Sequence, residues 1–387
     1  MIVAVREAGL THVKCFAHTV NLASQRALKI DRVNRLLKKL RTIVVFFHRS
    51  TVANALLKQK QGMLQLPDHK LIQDVSTRWN SSFEMVERYL EQQPAVLSVL
   101  MSKDVRKTEK DVVLYETDLS NAEDLVVVLK PMKTITTILC DEKQPTISLI
   151  FPLKHQILQL MQVIEGDTAF VRDIKEAIIQ DINKRYIDEE DYLLLTSAVD
   201  PRFLSLPQLD DERKLAVFSS LITKAATLVN SDKIMKVKQE PDDGVATRKP
   251  ELPELPGPDL NQDKAPAVTP VTVKQESSAM EELFGDVFVT HVQPAKSTLQ
   301  LLEEEVSVYK GEECIPLLCD PLEWWCENQY RFPLLPRLAK SLLCIPGTSV
   351  PSERIFSTAG DIVTAQRATS SCDHVNMLIF LKKNLKQ

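Results

Sequence analysis

The feature that most constrains this chain is a succession of apolar residues spaced for helices, one stretch after another, from about residue 86 to 230. Asp124 to Cys140 places Leu125, Val128, Leu129, Met132, Ile135 and Ile138 at three- and four-residue intervals, and Ile147 to Val163 repeats this with Ile150, Leu153, Ile157, Leu160 and Met161. That 3.6-residue period puts hydrocarbon on one face of each helix. The span therefore buries its apolar residues by packing helix on helix, and an all-α region is predicted. Phe83 to Tyr89 and Leu97 to Met101 share the spacing. Pro145-Thr146 stands where a proline-led helix begins, and Ala198 to Phe203 reads as a turn through its Asp200-Pro201 pair.

The 387 residues, 44% hydrophobic and 26% charged, suffice for a sizeable core and more than one unit. A soluble globular protein is expected, with no signal peptide and no membrane partner, because no apolar run approaches the ~20 residues of a membrane span. Seven cysteines, at 15, 140, 314, 319, 326, 344 and 372, are scattered and odd in number. That pattern favours a reducing compartment over a disulfide framework. Cys314, Cys319 and Cys326 are a loose match to zinc spacing with no histidine at finger distance, so incidental thiols are the preferred reading and no metal or cofactor is expected.

Net charge is −4, yet residues 1 to 60 hold twelve Lys and Arg against Glu7 and Asp31. Val20 to Phe47 has helical apolar spacing at Ala23, Ala27, Ile30, Leu37 and Leu40, with Arg32, Arg35 and Lys39 along a neighbouring polar face. Such a stripe suits phosphates or is a solvated helix face; charge alone does not separate the two. Before it lies Cys15-Phe16-Ala17-His18, whose cysteine and histidine read as ligands, a catalytic pair or packing residues. After it, Arg78 and Trp79 in Asp74 to Ser81 read as a base-stacking site or, by preference, as a core seal.

Near the C-terminus, Pro346, Gly347, Thr348, Ser349 and Pro351 punctuate a loop, and Ser352-Glu353 opens a helix whose first turn carries the acid. Upstream, Phe284 to Tyr309 is predicted helical, and Asp320-Pro321 caps and starts a helix bearing Trp324 and Trp325, which need a large buried surface. Val375 to Leu381 is apolar nearly all the way round and is expected to be buried on several sides. Between Lys236 and Met280 seven prolines and no aromatic residue mark a flexible linker. Within it Val237-Lys238-Gln239-Glu240 and Val273-Lys274-Gln275-Glu276 repeat one word, the apolar-Lys-x-acid pattern read by the SUMO-conjugating enzyme.

Cys344 to Arg367 together with His374 to Leu381 closely resembles the C-terminal dimerisation region of hAT-superfamily transposases and of the zinc finger BED domain proteins derived from them. The words Cys15-Phe16-Ala17-His18-Thr19-Val20-Asn21-Leu22, Asp74 to Ser81 and Asp200-Pro201-Arg202-Phe203 resemble the same family and follow in its order. The resemblance implies an α-rich α/β fold: an incomplete ribonuclease H-like core over residues 1–85, an all-α insertion over 86–230, a disordered linker over 231–282 and the hAT dimerisation region over 283–387. It implies that Glu353 aligns with the third metal-binding acid of active members, that Cys15 and His18 lie near the active site, and that Trp79 lies near the DNA. Both aspartates of the triad would precede Cys15, in strands this chain lacks, as would the BED finger. An exposed sheet edge around Val3, Val5 and Val13 would follow.

The expected function is that of a non-catalytic, domesticated transposase remnant in the nucleus. It is expected to dimerise with itself or with related hAT-type proteins through Trp324, Trp325, Phe356, Val375, Leu378, Ile379 and Leu381. DNA contact through Arg32, Arg35, Lys39, Arg78 and Trp79, or transcriptional regulation, is expected, with SUMO modification at Lys238 and Lys274. The alternatives are a SUMO ligase of the BED type and a remnant transposase.

Overall fold

The structure, a computed structural model, describes residues 7, 11–102, 105, 114–238, 296–363 and 371–385. The described residues form helices joined by turns and loops. Helix α1 spans Phe16–Leu28, α2 Asp31–Arg49, α3 Thr51–Met63, α4 Trp79–Leu100, α5 Glu116–Leu139, α6 Ile150–Leu160 and α7 Ala169–Asn183. Then come α8 (Glu190–Ala198), α9 (Asp211–Lys238), α10 (Thr298–Lys310), α11 (Pro321–Glu327), α12 (Leu335–Leu343), α13 (Val350–Ile362) and α14 (Cys372–Asn384). No strand occurs among the described residues. The architecture is helix-rich, and the α/β character implied by resemblance has no described element behind it. Val3, Val5 and Lys274 lie outside the described residues, as does nearly all of the proposed linker; Val13 is packed against the core.

The helical periodicity is realised with three adjustments. Spacing predicts one helix from Val20 to Phe47, but Ile30 is extended (φ −58°, ψ 133°) and separates α1 from α2. Neither glycine nor proline marks the break; tertiary packing sets it. Phe16, Val20, Ala23 and Ala27 of α1 are fully buried, and α1 packs on α4, α5 and α7, whereas α2 packs on α3, α4 and α5. Helix α4 continues unbroken across residues 85 and 86, and α9 continues to Lys238, past residue 230. The helix expected from Phe284 begins, among the described residues, at Thr298 with Ser297 and Gln300 forming a reciprocal cap.

The third adjustment concerns Pro145-Thr146, which does not lead a helix: α6 starts at Ile150. Residues 144 to 148 are taken up by long-range bonds instead. Gly347 N–H donates to the Thr146 hydroxyl at 2.8 Å, the Ser148 hydroxyl to Asp200 at 2.7 Å, and Arg202 to Gln144 at 2.6 Å. A β-carbon at Gly347 would stand 2.5 Å from the Thr146 carbonyl oxygen, so only glycine lets the two backbones cross here. From the other side Phe16 N–H donates to the Gly347 carbonyl at 3.0 Å.

Asp200 and Arg202 form an ion pair at 2.7 Å with side chains 0% and 1% exposed. Burial of this degree is tolerable because Ser148, Gln144 and the Arg202 amide complete the hydrogen bonding. On this turn the C-terminal region docks. Trp325 donates its indole N–H to Val199 at 2.8 Å, Tyr309 its hydroxyl to Ala198 at 3.1 Å, and Ile315 its N–H to Pro201 at 3.2 Å. Tyr309, Trp324, Trp325 and Phe332 pack ring on ring with centroids 4.9 to 5.9 Å apart. Buried Glu305 accepts from the Leu334 and Leu335 amides and so supplies the N-terminal cap of α12. One contiguous core thus runs from Phe16 to Leu343.

The Asp74 to Ser81 word builds a clamp. Arg41 holds both oxygens of Asp74 at 2.8 and 2.7 Å, and the Ser82 hydroxyl donates to the same carboxylate at 2.7 Å. Burial pushes the Asp74 carboxyl up, but the bonds from Arg41 and Ser82 outweigh it and hold the pKa below the usual carboxylate value.

Two outcomes are expected from these contacts. Gly347→Ala should lower the denaturation midpoint and increase hydrogen exchange at the Phe16 and Gly347 amides, because backbone must move to admit the methyl group; unchanged exchange at both amides would refute the crossing. Asp74→Asn should cost about 1.5–3 kcal/mol at neutral pH, the range for hydrogen bonds to charged groups. Since the folded pKa is lowered, the carboxylate's stabilisation is complete above the ordinary carboxylate value and is lost as pH falls through the lowered one. The gap between wild type and variant in urea midpoints should therefore close on acidification.

Candidate functional site

Three segments that are far apart in sequence meet beside Gly347. Cys15 precedes α1 at its N-cap position, Thr348 and Ser349 precede α13, and Glu353 lies on the first turn of α13. The Ser349 amide donates to the Cys15 sulfur at 3.3 Å, the Ser349 hydroxyl donates to Glu353 at 2.6 Å, and the Cys15 thiol donates to the Thr348 hydroxyl at 3.7 Å. Sequence spacing ties Cys15 to His18, but the structure ties Cys15 to Thr348 and Ser349, and Glu353 only through Ser349. His18 is exposed one turn along α1. Beneath them Tyr186 is buried, its hydroxyl donating to the Lys14 carbonyl at 2.8 Å and lying 3.0 Å from that of Thr19, and burial pushes its phenol well above the usual range.

Glu353 is exposed, as are Arg354 and Phe356 beside it. The donors gathered with Glu353 are one carboxylate, a hydroxyl and a thiol. A pair of hard divalent cations needs several oxygen ligands, and no group of three or more candidate ligands occurs among the described residues. The residues around Glu353 do not fit the metal pair that resemblance implies.

The basic residues are redistributed by packing. Arg32 lies 3.9 Å from Asp173, and Lys39 is bound to Asp118 at 2.7 Å while sitting over the Tyr115 ring. Arg35 and Arg78 are exposed. Trp79, read by preference as a core seal and placed near the DNA only by resemblance, is 2% exposed and packs edge-on against Phe83, its centroid 6.1 Å away. Its ring closes the core, so base stacking there is ruled out by burial. Lys38 and Arg49, not singled out from sequence, share the outward face of α2 with Arg35 and Thr42 at intervals of three, four and seven residues. Around the far end of that face, Arg41, Thr42, Val45, Phe46, Arg49 and Ser50 line a cleft of about 470 Å³. The helical register of Arg35 with Arg49 was readable; that Arg32 and Lys39 would find acidic partners on α7 and α5 was not.

The residues expected at a subunit contact divide in two. Trp325 is 3% exposed and spends its indole N–H inside the chain, and Trp324 is half-buried against Phe332. These serve the internal aromatic cluster, and Trp325 is corrected from interface to core. Phe356, by contrast, is 75% exposed, and Leu378 and Leu381 are exposed on α14. Val375 and Ile379 are half-buried. Within one chain none of the α14 residues is buried, so its apolar faces are not covered by the chain's own core. Helices α13 and α14 pack on each other, Ile362 being the buried residue of α13, and form an arm outside the contiguous core. Glu142 steadies that arm through Lys383 at 3.0 Å and Arg354 at 3.5 Å.

Residues 305–385 match the hAT family C-terminal dimerisation region, and residues 13–127 match the ZBED1 RNase-like helical domain. Zinc finger BED domain-containing protein 4 of Homo sapiens is 28% identical over 98% of this chain and 30% of its own length. Zinc finger BED domain-containing protein 6 of Homo sapiens is 24% identical over 99% of the chain and 39% of its own length. The Putative AC transposase of Zea mays is 23% identical over 98% of the chain and 44% of its own length. The chain thus spans less than half of each of these relatives. The dimerisation match, the RNase-like helical match and these relatives across nearly its whole length support a hAT-derived protein of the zinc finger BED domain-containing type.

Proposed function

We propose that this chain is a non-catalytic, transposase-derived nuclear protein whose retained activity is pairing through the α13 and α14 arm, with itself or with a related hAT-type chain. The observation that carries this reading is the arm's exposed apolar surface. Ile355, Phe356, Met377, Leu378, Phe380 and Leu381 are all exposed on two helices outside the core, and the hAT dimerisation match runs through both. Exposed apolar surface of this kind marks an interaction site. The donor set around Glu353 supports the non-catalytic part. Lys238 and Lys274 are proposed as SUMO acceptors on the strength of their repeated sequence word.

Contact with DNA is a second reading, favoured by the outward face of α2. Arg35, Lys38 and Arg49 form no ion pair with a described residue and lie in one helical register, so the cationic face is open to phosphates.

Light scattering on the purified chain tests pairing: the wild type should have the mass of a dimer, and Phe356→Asp with Leu378→Asp should have that of a monomer with unchanged helical circular dichroism. A wild type that stays monomeric at the highest concentration reached would overturn the reading. Affinity for a duplex DNA fragment, followed by anisotropy across salt concentrations, tests the second. Replacing Arg35, Lys38 and Arg49 by alanine should reduce the slope of log K against log salt by about 3, near 0.9 for each phosphate contact; an unchanged slope would remove α2 from the DNA contact.

A further inference from the structure

Burial removes Trp79 as a platform for a base, but a second aromatic ring stands beside an open cation. Phe46, near the end of α2, lines the cleft of about 470 Å³ together with Arg41, Thr42, Val45, Arg49 and Ser50. Helix geometry makes these residues neighbours. Val45 and Phe46 lie four and three positions before Arg49, and Arg41 and Thr42 lie four before Val45 and Phe46, so all share the outward side of the last turns. Ser50 follows as the cap of α3, its hydroxyl oxygen accepting from the Ala53 amide at 3.1 Å.

The lining divides by chemistry. Phe46 is half-buried against the core and set edge-on to buried Phe47, with ring centroids 5.4 Å apart, so this apolar wall is in place before any ligand arrives. Arg41 is neutralised by Asp74 and contributes shape more than charge. Arg49 is exposed and forms no ion pair with a described residue. The Thr42 hydroxyl donates to the Lys38 carbonyl at 3.0 Å and keeps acceptor capacity, whereas Ser50, whose oxygen is taken by the Ala53 amide, keeps its hydrogen for an acceptor. No carboxylate is among the described lining residues. The cleft is therefore complementary to an anion joined to a flat body that carries polar groups at its edge.

Duplex DNA does not match all of this. Its backbone would meet Arg49, but its bases are stacked inside the helix and leave the Phe46 ring without a partner. The volume falls in the range of about 300–1,000 Å³ for sites that enclose one small molecule. We propose that the cleft is a site for one unpaired nucleotide, its phosphate on Arg49 and Ser50 and its base on Phe46. The nucleotide comes either as a free nucleoside phosphate or as one residue of a single strand; the shared chemistry is a phosphate joined to a base. In a strand the next phosphates would meet Lys38 and Arg35, four and seven positions before Thr42 on the same face. The inference rests on the second reading above for the role of Arg49 toward phosphate and adds a stacking platform to it. Every base has a π-face, so sequence preference at such a platform is slight.

Anisotropy of a labelled thymidine oligonucleotide on the full chain tests the site. Phe46→Leu keeps the apolar volume and removes the π-face; it should weaken binding at least about fivefold, the lower end for one stacked base, and Phe46→Tyr should restore it. Undiminished affinity in Phe46→Leu, or no binding of the strand to wild type, would overturn the site. The unmodified chain guards against misfolding of the variant: an abasic strand of the same length keeps every phosphate and lacks every base, and should bind at least about fivefold more weakly. Equal affinity for the two strands would equally overturn the site. Thymidine 5′-monophosphate that displaces the labelled strand identifies a free nucleotide as sufficient, and base-dependent strand binding without such displacement identifies the single strand; both support the site. A Glu- and Phe-containing peptide that binds wild type but not Phe46→Leu, where the strand does not bind, would reassign the cleft to acidic peptide. The two readings fail separately. A duplex salt slope that falls on replacing Arg35, Lys38 and Arg49, beside strand binding indifferent to Phe46, removes the site and leaves the duplex contact; base-dependent strand binding beside an unchanged duplex slope does the reverse.

Discussion

The described residues that follow Cys344 enter the fold through one close backbone crossing. Gly347 donates to Thr146 and accepts from Phe16, and a β-carbon there would meet the Thr146 carbonyl oxygen at 2.5 Å. Three segments more than a hundred residues apart in sequence are joined by two hydrogen bonds and the absence of one methyl group. The placement of Ser349 and Glu353 beside Cys15 follows directly. So does the departure angle of the α13 and α14 arm, which leaves the body at this point and touches it again through Glu142. Lys383 and Arg354 hold the Glu142 carboxyl below its usual pKa, the hydrogen bond from Lys383 most of all. Being exposed, that contact orients the arm more than it stabilises the fold.

A second joint divides the C-terminal region into an inward and an outward part. Tyr309, Trp325 and Phe332 are buried, and they spend two polar hydrogens on the carbonyls of Ala198 and Val199. The buried Asp200 and Arg202 pair keeps those carbonyls in position. The same short stretch of sequence therefore welds the region to the helical body with its aromatic residues and presents Leu318, Tyr330 and the arm to the outside. The Cys15, Ser349 and Glu353 cluster belongs to the first joint, beside Gly347.

Much of this could be read without coordinates, and the misses share a cause. The helices within Asp124 to Cys140 and Ile147 to Val163 followed from apolar period, and the Asp320 cap with Pro321 followed from local chemistry; these depend on neighbours within a few residues. Trp325 was misplaced at the interface because burial of an apolar residue is decided by what lies across the fold. A tryptophan pair and an apolar helix carry the same signal in sequence, yet one went inward and the other outward. The N-terminal basic stripe failed in the same way. Arg32 and Lys39 are neutralised by Asp173 and Asp118, residues 141 and 79 positions further along the chain, and no local pattern announces such a partner.

The arm's exposure bears on the life of the chain before it is paired. A newly made copy has its body complete, since the core from Phe16 to Leu343 closes without the arm, yet holds apolar helices in water. Its time in that state is set by encounter, and hence by how much of the chain the cell makes. Under the proposed pairing abundance becomes a control: below the pairing concentration the exposed helices invite chaperones and proteases, and above it the contact would cover them.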